Sequence, residues 1–193
     1  MKKKYFILLF CLWVCGSLWN DVEGQKVYAQ TENGRSYAVV DLTDLLPLGC
    51  VRQEKTVLSG DLNAVSATAG SDNYVDGKWN KKMYYKFEIS KSDETRGLWY
   101  QQFNRCKNKT DAGGGWRLPT YNELGMILVL YPQLVALGDG YFEVFTDSKG
   151  YLGLTEFSRT DKNVSIAFRK DFALGYTGRG ITASYGARCI REL

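Results

Sequence analysis

Apolar and polar residues alternate through Met-Tyr-Tyr-Lys-Phe-Glu-Ile, residues 83–89. Tyr85, Phe87 and Ile89 stand against polar neighbours, and that period of two predicts a strand. The period then lengthens. Trp99, Phe103 and Cys106 recur at i, i+4 and i+7, which is one face of a helix and turns Cys106 toward the core. Ser90 or Ser92 reads as the cap of this helix, with Asp93 and Glu94 in a first turn whose dipole favours acids. Gly113-Gly114-Gly115 makes a sharp turn into Trp116-Arg117-Leu118-Pro119-Thr120. A second helix opens there with a capping box: the Thr120 hydroxyl takes the Glu123 amide, and the Glu123 carboxylate reaches back to the Thr120 amide. Such a cap contributes about 0.5–2 kcal/mol. Leu124, Ile127, Leu128 and Tyr131 form the apolar stripe of this helix, and Pro132 marks its end.

Short strands separated by glycine turns are expected over residues 141–146, 151–157, 164–168 and 186–191. On the N-terminal side, residues 37–40 read as a strand and residues 41–48 as a short helical or irregular piece ending near Pro47 and Gly49. The stretch 59–76 has loop composition, and Asp76-Gly77 is a turn signal. No internal repeat is apparent. One strand, two helices and then many short strands place the chain in the α+β class.

The first residues follow a different rule. Met1-Lys2-Lys3-Lys4 precedes an almost unbroken apolar run from Tyr5 to Leu18, the pattern of an export signal too short to span a bilayer comfortably. Residues 1–24 are read as a signal peptide, cut before Gln25 after Val22-Glu23-Gly24, or as late as residue 29, before Gln30 after Val27-Tyr28-Ala29. Lipoprotein processing at Cys15 and an uncut N-terminal anchor are the alternatives. Export gives the localisation: periplasm, cell surface or secreted, with no stable transmembrane span after processing.

Composition then narrows the chemistry. The 193 residues contain no histidine, which removes Ser-His-Asp and Cys-His catalysis and every histidine-containing zinc site. A net charge of +4, with no basic run beyond the N-terminus, lacks the footprint of a nucleic-acid binder. Of five cysteines, export removes Cys11 and Cys15. Cys50, Cys106 and Cys189 remain in an oxidising compartment, which suggests one disulfide and one thiol left over.

Three segments carry a family resemblance: GGGWRLPTYNEL (residues 113–124), YLGLTE (151–156) and the terminal ARCIREL (187–193). Together they resemble the bacterial DUF1566 or Lcl C-terminal domain, which is similar to the formylglycine-generating-enzyme-like branch of the C-type-lectin-like fold. Members typically carry a cysteine in the first helix, a WRLPT segment opening the second, a YWSST-like strand and a final RCVR strand. Here these correspond to Cys106, Trp116 to Thr120, Tyr151 to Glu156 and Arg188 to Arg191, with Leu152-Gly153-Leu154 replacing the usual Trp-Ser-Ser. The resemblance covers roughly residues 83–193. It implies two helices packed on short, mostly antiparallel strands and a Cys106–Cys189 disulfide tying the first helix to the last strand. The organisation is then a signal peptide, an N-terminal extension of uncertain structure over 25–80, and the family domain over 81–193. Cys50 is left as a buried small hydrophobe or as a thiol that pairs with another molecule.

Within this frame no catalytic constellation is expected. The enzymatic branch of the fold needs a redox-active or copper-binding thiol pair, and three cysteines with one isolated do not supply it beside a structural bridge. The acceptor-rich loop and Trp-Asn-Asp strand of calcium-dependent lectins have no counterpart, since Trp19-Asn20-Asp21 lies in the export segment. No metal and no cofactor is expected. Asp139, Glu143 and Asp147 cluster in sequence as paired carboxylates would, but Glu143 and Asp147 read as residues on the exposed side of a strand and in a turn; Arg117 reads as the partner of a carboxylate such as Glu123 or of a terminal-strand backbone, and Trp116 as core. The sequons at Asn108 and Asn163 read as silent in a bacterial protein. Binding chemistry falls to aromatic rings and their polar neighbours. Tyr74, Trp79, Tyr141, Tyr176 and Tyr185 lie in or near expected loops, with Arg179 in a turn over 176–180. Tyr141, Tyr176, Arg179 and Tyr185 are the ligand-binding candidates. The expected function is a non-catalytic exported binding module, acting in adhesion or as an accessory subunit of a surface structure. Its partner would be a glycan or surface protein, or a fimbrial or outer-membrane component. An enzyme of the formylglycine-generating type, or an assembly subunit docking through its N-terminal segment by strand addition, are the alternatives.

Overall fold

Asn33 and Gly34, with φ of 50° and 74°, take successive left-handed conformations. That is the geometry of a two-residue hairpin turn, which Asn-Gly adopts at low steric cost. The turn joins β1 (Lys26–Glu32) to β2 (Arg35–Asp41) in antiparallel register from Lys26↔Asp41 to Glu32↔Arg35. The structure is a computed structural model that describes residues 26–44, 46–47, 49–52, 81–147, 150–156, 165–168, 174–177 and 183–193. The expected export segment, the loop expected over 59–76, the turn expected at Asp76-Gly77, Tyr74, Trp79, Asn163 and Arg179 lie outside the described residues. The later cleavage position, between Ala29 and Gln30, falls inside β1.

Next come β3 (Val51–Arg52), β4 (Lys82–Met83), β5 (Lys86–Ile89), β6 (Glu94–Gly97) and helix α1 (Trp99–Lys107). They are followed by β7 (Trp116–Arg117), α2 (Tyr121–Val129) and α3 (Tyr131–Ala136), then β8 (Tyr151–Glu156), β9 (Ser165–Phe168), β10 (Leu174–Thr177), β11 (Tyr185–Ala187) and β12 (Ile190–Glu192). One five-stranded sheet has the order β1-β2-β5-β12-β7, with every pairing antiparallel. The other has the order β10-β9-β8-β11-β6, antiparallel except where β8 meets β11. Strands β3 and β4 form a small parallel pair. The chain is therefore mixed α+β, and β1 and β2 of the N-terminal segment share a sheet with the C-terminal strand.

Of the four connections that pass between the two sheets, two short ones run side by side. Residues 90–93 lead from β5 in the first sheet to β6 in the second, and Arg188-Cys189 leads back from β11 to β12. The Ser90 amide donates to the Cys189 carbonyl at 2.8 Å, and the Cys189 amide donates to the Ser90 hydroxyl at 3.0 Å. Cys189 is also bonded to Cys106 of α1, 83 positions away in sequence, with Cα atoms 5.4 Å apart. Closing a loop of that length stabilises the fold by at most roughly 4–5 kcal/mol through chain entropy. Both cysteines are fully buried with Trp99, Phe103, Trp116, Leu118, Leu152 and Leu154. A larger core under α2 and α3 gathers Val40, Phe87, Ile89, Leu124, Ile127, Leu134 and Phe142.

Several local expectations give way to long-range contacts. No helix starts at Ser90 or Ser92: residues 94–97 extend as β6 to pair with β11, and α1 begins at Trp99 with the Gln101 side chain accepting the Leu98 amide at 2.9 Å. The strand at 83–89 breaks because the Tyr84 amide donates to the Glu123 carboxylate instead of to a neighbouring strand. Pro132 does not close the helical region; it sits in the first turn of α3, where its missing N–H costs nothing. Residues 141–146 are not a strand. Their backbone groups are taken by the Arg188 and Tyr131 side chains and by the Lys91 carbonyl, while Phe142 and Phe145 fill the core. The single strand expected over 186–191 is two strands in different sheets. Tyr176 and Thr177 belong to β10, not to an exposed turn. Among the described residues no helix is long and apolar enough to cross a membrane.

Candidate functional site

Arg188 is 1% exposed and sits where the two crossings meet. Its Nε donates to Asp93 Oδ1 at 2.5 Å. One terminal nitrogen donates to the carbonyls of Ser90 and Lys91, at 3.0 and 2.6 Å. The other donates to those of Glu143 and Val144, at 2.6 and 3.4 Å. The five N–H groups of a guanidinium are thereby used in full, and the cation also lies 4.8 and 5.0 Å from the ring centres of Phe142 and Phe145.

Asp93 spends its other oxygen on the far side. Oδ2 accepts the Tyr151 hydroxyl and the Thr146 hydroxyl, both at 2.6 Å, and the Thr146 amide at 3.0 Å. Tyr151 in turn accepts the Asp147 amide at 2.9 Å. Burial raises the pKa of Asp93, but the charge of Arg188 and the hydrogen bonds outweigh it, so the carboxyl lies below its ordinary range. Burial, with the bond to Asp93, holds the Tyr151 phenol well above its ordinary range.

Beside this hub lies a cleft of about 480 Å³, lined by Asp93, Glu94, Thr95, Arg96, Thr146, Asp147 and Gly186. Its residues come from the end of the 90–93 crossing, from β6, from the irregular segment before β8, and from β11. Arg96 forms a bidentate pair with the buried Asp147, its Nε at 2.6 Å from Oδ2, and the guanidinium is 43% exposed at the cleft wall. Glu94 pairs with Lys109 at 3.0 Å. Gly186 lets the walls approach: a Cβ there would stand 2.9 Å from the Asp147 Cβ and 3.2 Å from the Tyr151 ring. The volume falls in the range of about 300–1,000 Å³ usual for small-ligand sites.

The WRLPT segment has a different task. Arg117 is bidentate to Glu123, at 2.5 and 2.6 Å, and also donates to the Leu118 carbonyl at 2.9 Å. Glu123, fully buried, also accepts the Thr120 amide at 2.8 Å, and the Thr120 hydroxyl accepts the Glu123 amide at 3.4 Å, so the capping box forms as read from sequence. Arg117 stacks 4.0 Å over the Tyr84 ring. Trp116 is buried between Lys109 and Arg191, 5.8 and 5.7 Å from its ring centre. These residues lock α2 to β7.

The sequence-derived ligand candidates are scattered. Tyr141 packs, half-buried, against the larger core, and Tyr185 packs against the smaller one. Tyr185 precedes Gly186 on β11. Tyr176 lies on β10. Asp139 and Glu143 are exposed, whereas Asp147 is buried and ion-paired, contrary to its reading as a solvated turn residue. Cys50, a free thiol, accepts the Asn122 amide at 3.2 Å. Among the described residues no group of three or more acids or cysteines is placed to hold a metal ion. Nothing in the sequence marks Asp93, Arg96 or Thr146 as cleft residues, because their partners lie some fifty to a hundred positions away. Comparison of the chain with protein-family models, curated proteins and solved structures finds no match in any of the three.

Proposed function

We propose that the protein is an exported, non-catalytic binding module of a bacterial surface, with its ligand seated in the cleft between Asp93 and Asp147. The observation that carries this reading is the cleft itself: a polar, small-ligand-sized recess whose walls are pinned by ion pairs and by the disulfide-tied crossing behind them. Preorganised walls of this kind lose little entropy on binding. The charge states argue for recognition over proton transfer. Asp93 is held ionised and Tyr151 protonated, so neither is poised near neutral pH as a general acid or base. Cys106 and Cys189 are buried in a bridge, and Cys50 contacts Asn122 of α2, an arrangement that does not favour thiol chemistry of the formylglycine-generating type. The helix-to-last-strand disulfide and the buried WRLPT segment are consistent with the resemblance to the DUF1566 domain and its C-type-lectin-like fold.

The test is a screen of the secreted chain against glycan arrays and matrix proteins, repeated with Thr95→Trp. That substitution blocks the cleft from an exposed position and disturbs no ion pair. A captured ligand whose binding falls at least tenfold in the variant supports the reading. A folded wild-type protein that captures nothing, or a variant that binds as well as wild type, contradicts it.

One observation favours a second reading, docking by strand addition. Strand β1 lies at the edge of its sheet, and its outer side pairs with no strand among the described residues. An Ala29→Pro variant that loses a surface partner in pull-down, while Thr95→Trp retains it, would favour that reading.

A further inference from the structure

We infer that β1 pairs with β1 of a second copy of this chain, antiparallel about a two-fold axis at Ala29. This interface is independent of the cleft and names one partner for the open sheet edge. The two-residue turn at Asn33-Gly34 decides which groups of β1 face outward. In such a hairpin the pair that closes the turn, here Glu32↔Arg35, exchanges both of its backbone hydrogen bonds, and every second pair before it does the same. Lys26, Tyr28, Gln30 and Glu32 therefore spend their backbone groups on β2. Val27, Ala29 and Thr31 turn theirs to the open side, where no strand lies among the described residues.

These three residues are symmetric about Ala29, and the strand Lys-Val-Tyr-Ala-Gln-Thr-Glu carries opposite charges at its two ends. A second copy laid antiparallel across Ala29 pairs every outward N–H and C=O: Ala29 with the partner's Ala29, and Val27 with the partner's Thr31. The same register sets Lys26 opposite the partner's Glu32 as a non-hydrogen-bonded pair, with Cα atoms about 4.5 Å apart, where opposite charges attract. Both side chains are exposed. Lys26 also donates to Asp44 at 3.3 Å, and an ammonium has donors for two carboxylates. Glu32 gives one oxygen to the Tyr37 hydroxyl at 3.0 Å, and its other oxygen faces the new pair. Sliding the partner by two residues either way moves Lys26 off Glu32. It also leaves the outward groups of Thr31 or Val27 beyond the end of the partner's strand.

The strand lacks the devices that keep an edge single. It runs seven residues in unbroken register with β2, contains no proline or bulge, and carries its charges only at its ends. Pairing joins the five-stranded sheets of the two copies into one.

The experiment is sedimentation of the secreted chain over a range of concentrations, with Ala29→Pro, with Lys26→Glu and Glu32→Lys separately, and with those two mixed. Proline at 29 removes an outward N–H and no bond to β2, so the fold is retained. The expected result is a wild-type dimer, and a monomeric Ala29→Pro with unchanged circular dichroism and melting. Each charge variant should dimerise about tenfold more weakly. Mixing them should restore association, because the two variants are complementary at both ends of the strand. Thr95→Trp should leave the dimer intact, so this result and ligand capture by the cleft are read separately. A monomeric wild type, a dimer that survives Ala29→Pro, or a mixture that associates no better than either charge variant overturns the inference. A monomer whose β1 captures a different protein also overturns it, in favour of strand addition to that protein.

Discussion

Arg188 Nε and Asp93 Oδ1 meet at 2.5 Å at the point where the chain passes between its two sheets in both directions. The pair does more than neutralise charge. Arg188 holds the carbonyls of Ser90 and Lys91 on one crossing and those of Glu143 and Val144 on the segment over the core. Asp93 holds Thr146 and Tyr151, and through them the wall of the cleft. Removing one partner of such a pair leaves the other buried and uncompensated, at a cost of about 3–5 kcal/mol. Asp93→Ala and Arg188→Ala are each expected to lose that much in urea unfolding, with the double variant losing clearly less than their sum. Strict additivity would show that the two residues do not act as a unit.

The same pair sets an acid limit on stability. The carboxyl of Asp93 titrates below its ordinary value of 3.8 in the folded chain. Its contribution is therefore fully present above the unfolded value and is lost as pH falls through the folded one. Thermal melts of the wild type are expected to drop below about pH 4, and Asp93→Asn, already destabilised, should show a shallower acid slope in that window. Parallel acid slopes in the two proteins would contradict the assignment.

Gly186 is a packing requirement of the cleft. A methyl group there meets Asp147 at 2.9 and 3.0 Å and Tyr151 at 3.2 Å. Gly186→Ala is expected to cost about 1–3 kcal/mol as overpacking and to weaken ligand capture, since Asp147 must shift with its partner Arg96. Unchanged stability, read by denaturant unfolding, would mean that the walls yield freely.

The Arg117–Glu123 pair separates a cap from a network. Thr120→Ala removes only the cap and is expected to cost about 0.5–2 kcal/mol. Glu123→Gln leaves Arg117 buried without its counterion and should cost about 3–5 kcal/mol. Equal losses would show that Glu123 serves α2 alone.

What the sequence discloses here follows the range of each interaction. The Thr120–Glu123 box and the shared face of Trp99, Phe103 and Cys106 are local, and both form as their spacing requires. The Cys106–Cys189 bridge came through the family resemblance, since three cysteines alone leave the pairing open. Asn33-Gly34 is a local hairpin signal whose flanking runs pair as β1 and β2, while the spacing alone predicts a strand only over 37–40. Asp93 reads locally as a helix-start acid; its partner Arg188 is 95 residues away and pulls it into a sheet crossing. Arg96 and Asp147, 51 residues apart, likewise give no pattern within either segment. Of the aromatic candidates whose side chains are described, Tyr141 packs against the larger core and Tyr185 against the smaller one, where large rings contribute most because water is excluded.

The most direct test of the cleft as the binding site is amide chemical-shift mapping of the mature chain titrated with a ligand captured in the glycan and matrix-protein screen. The account predicts that the shifted amides cluster at Asp93, Glu94, Thr95 and Arg96, at Thr146 and Asp147, and at Gly186, with β1 and Tyr141 unmoved. Shifts concentrated on β1 or around Tyr141, with the cleft amides unchanged, would contradict it.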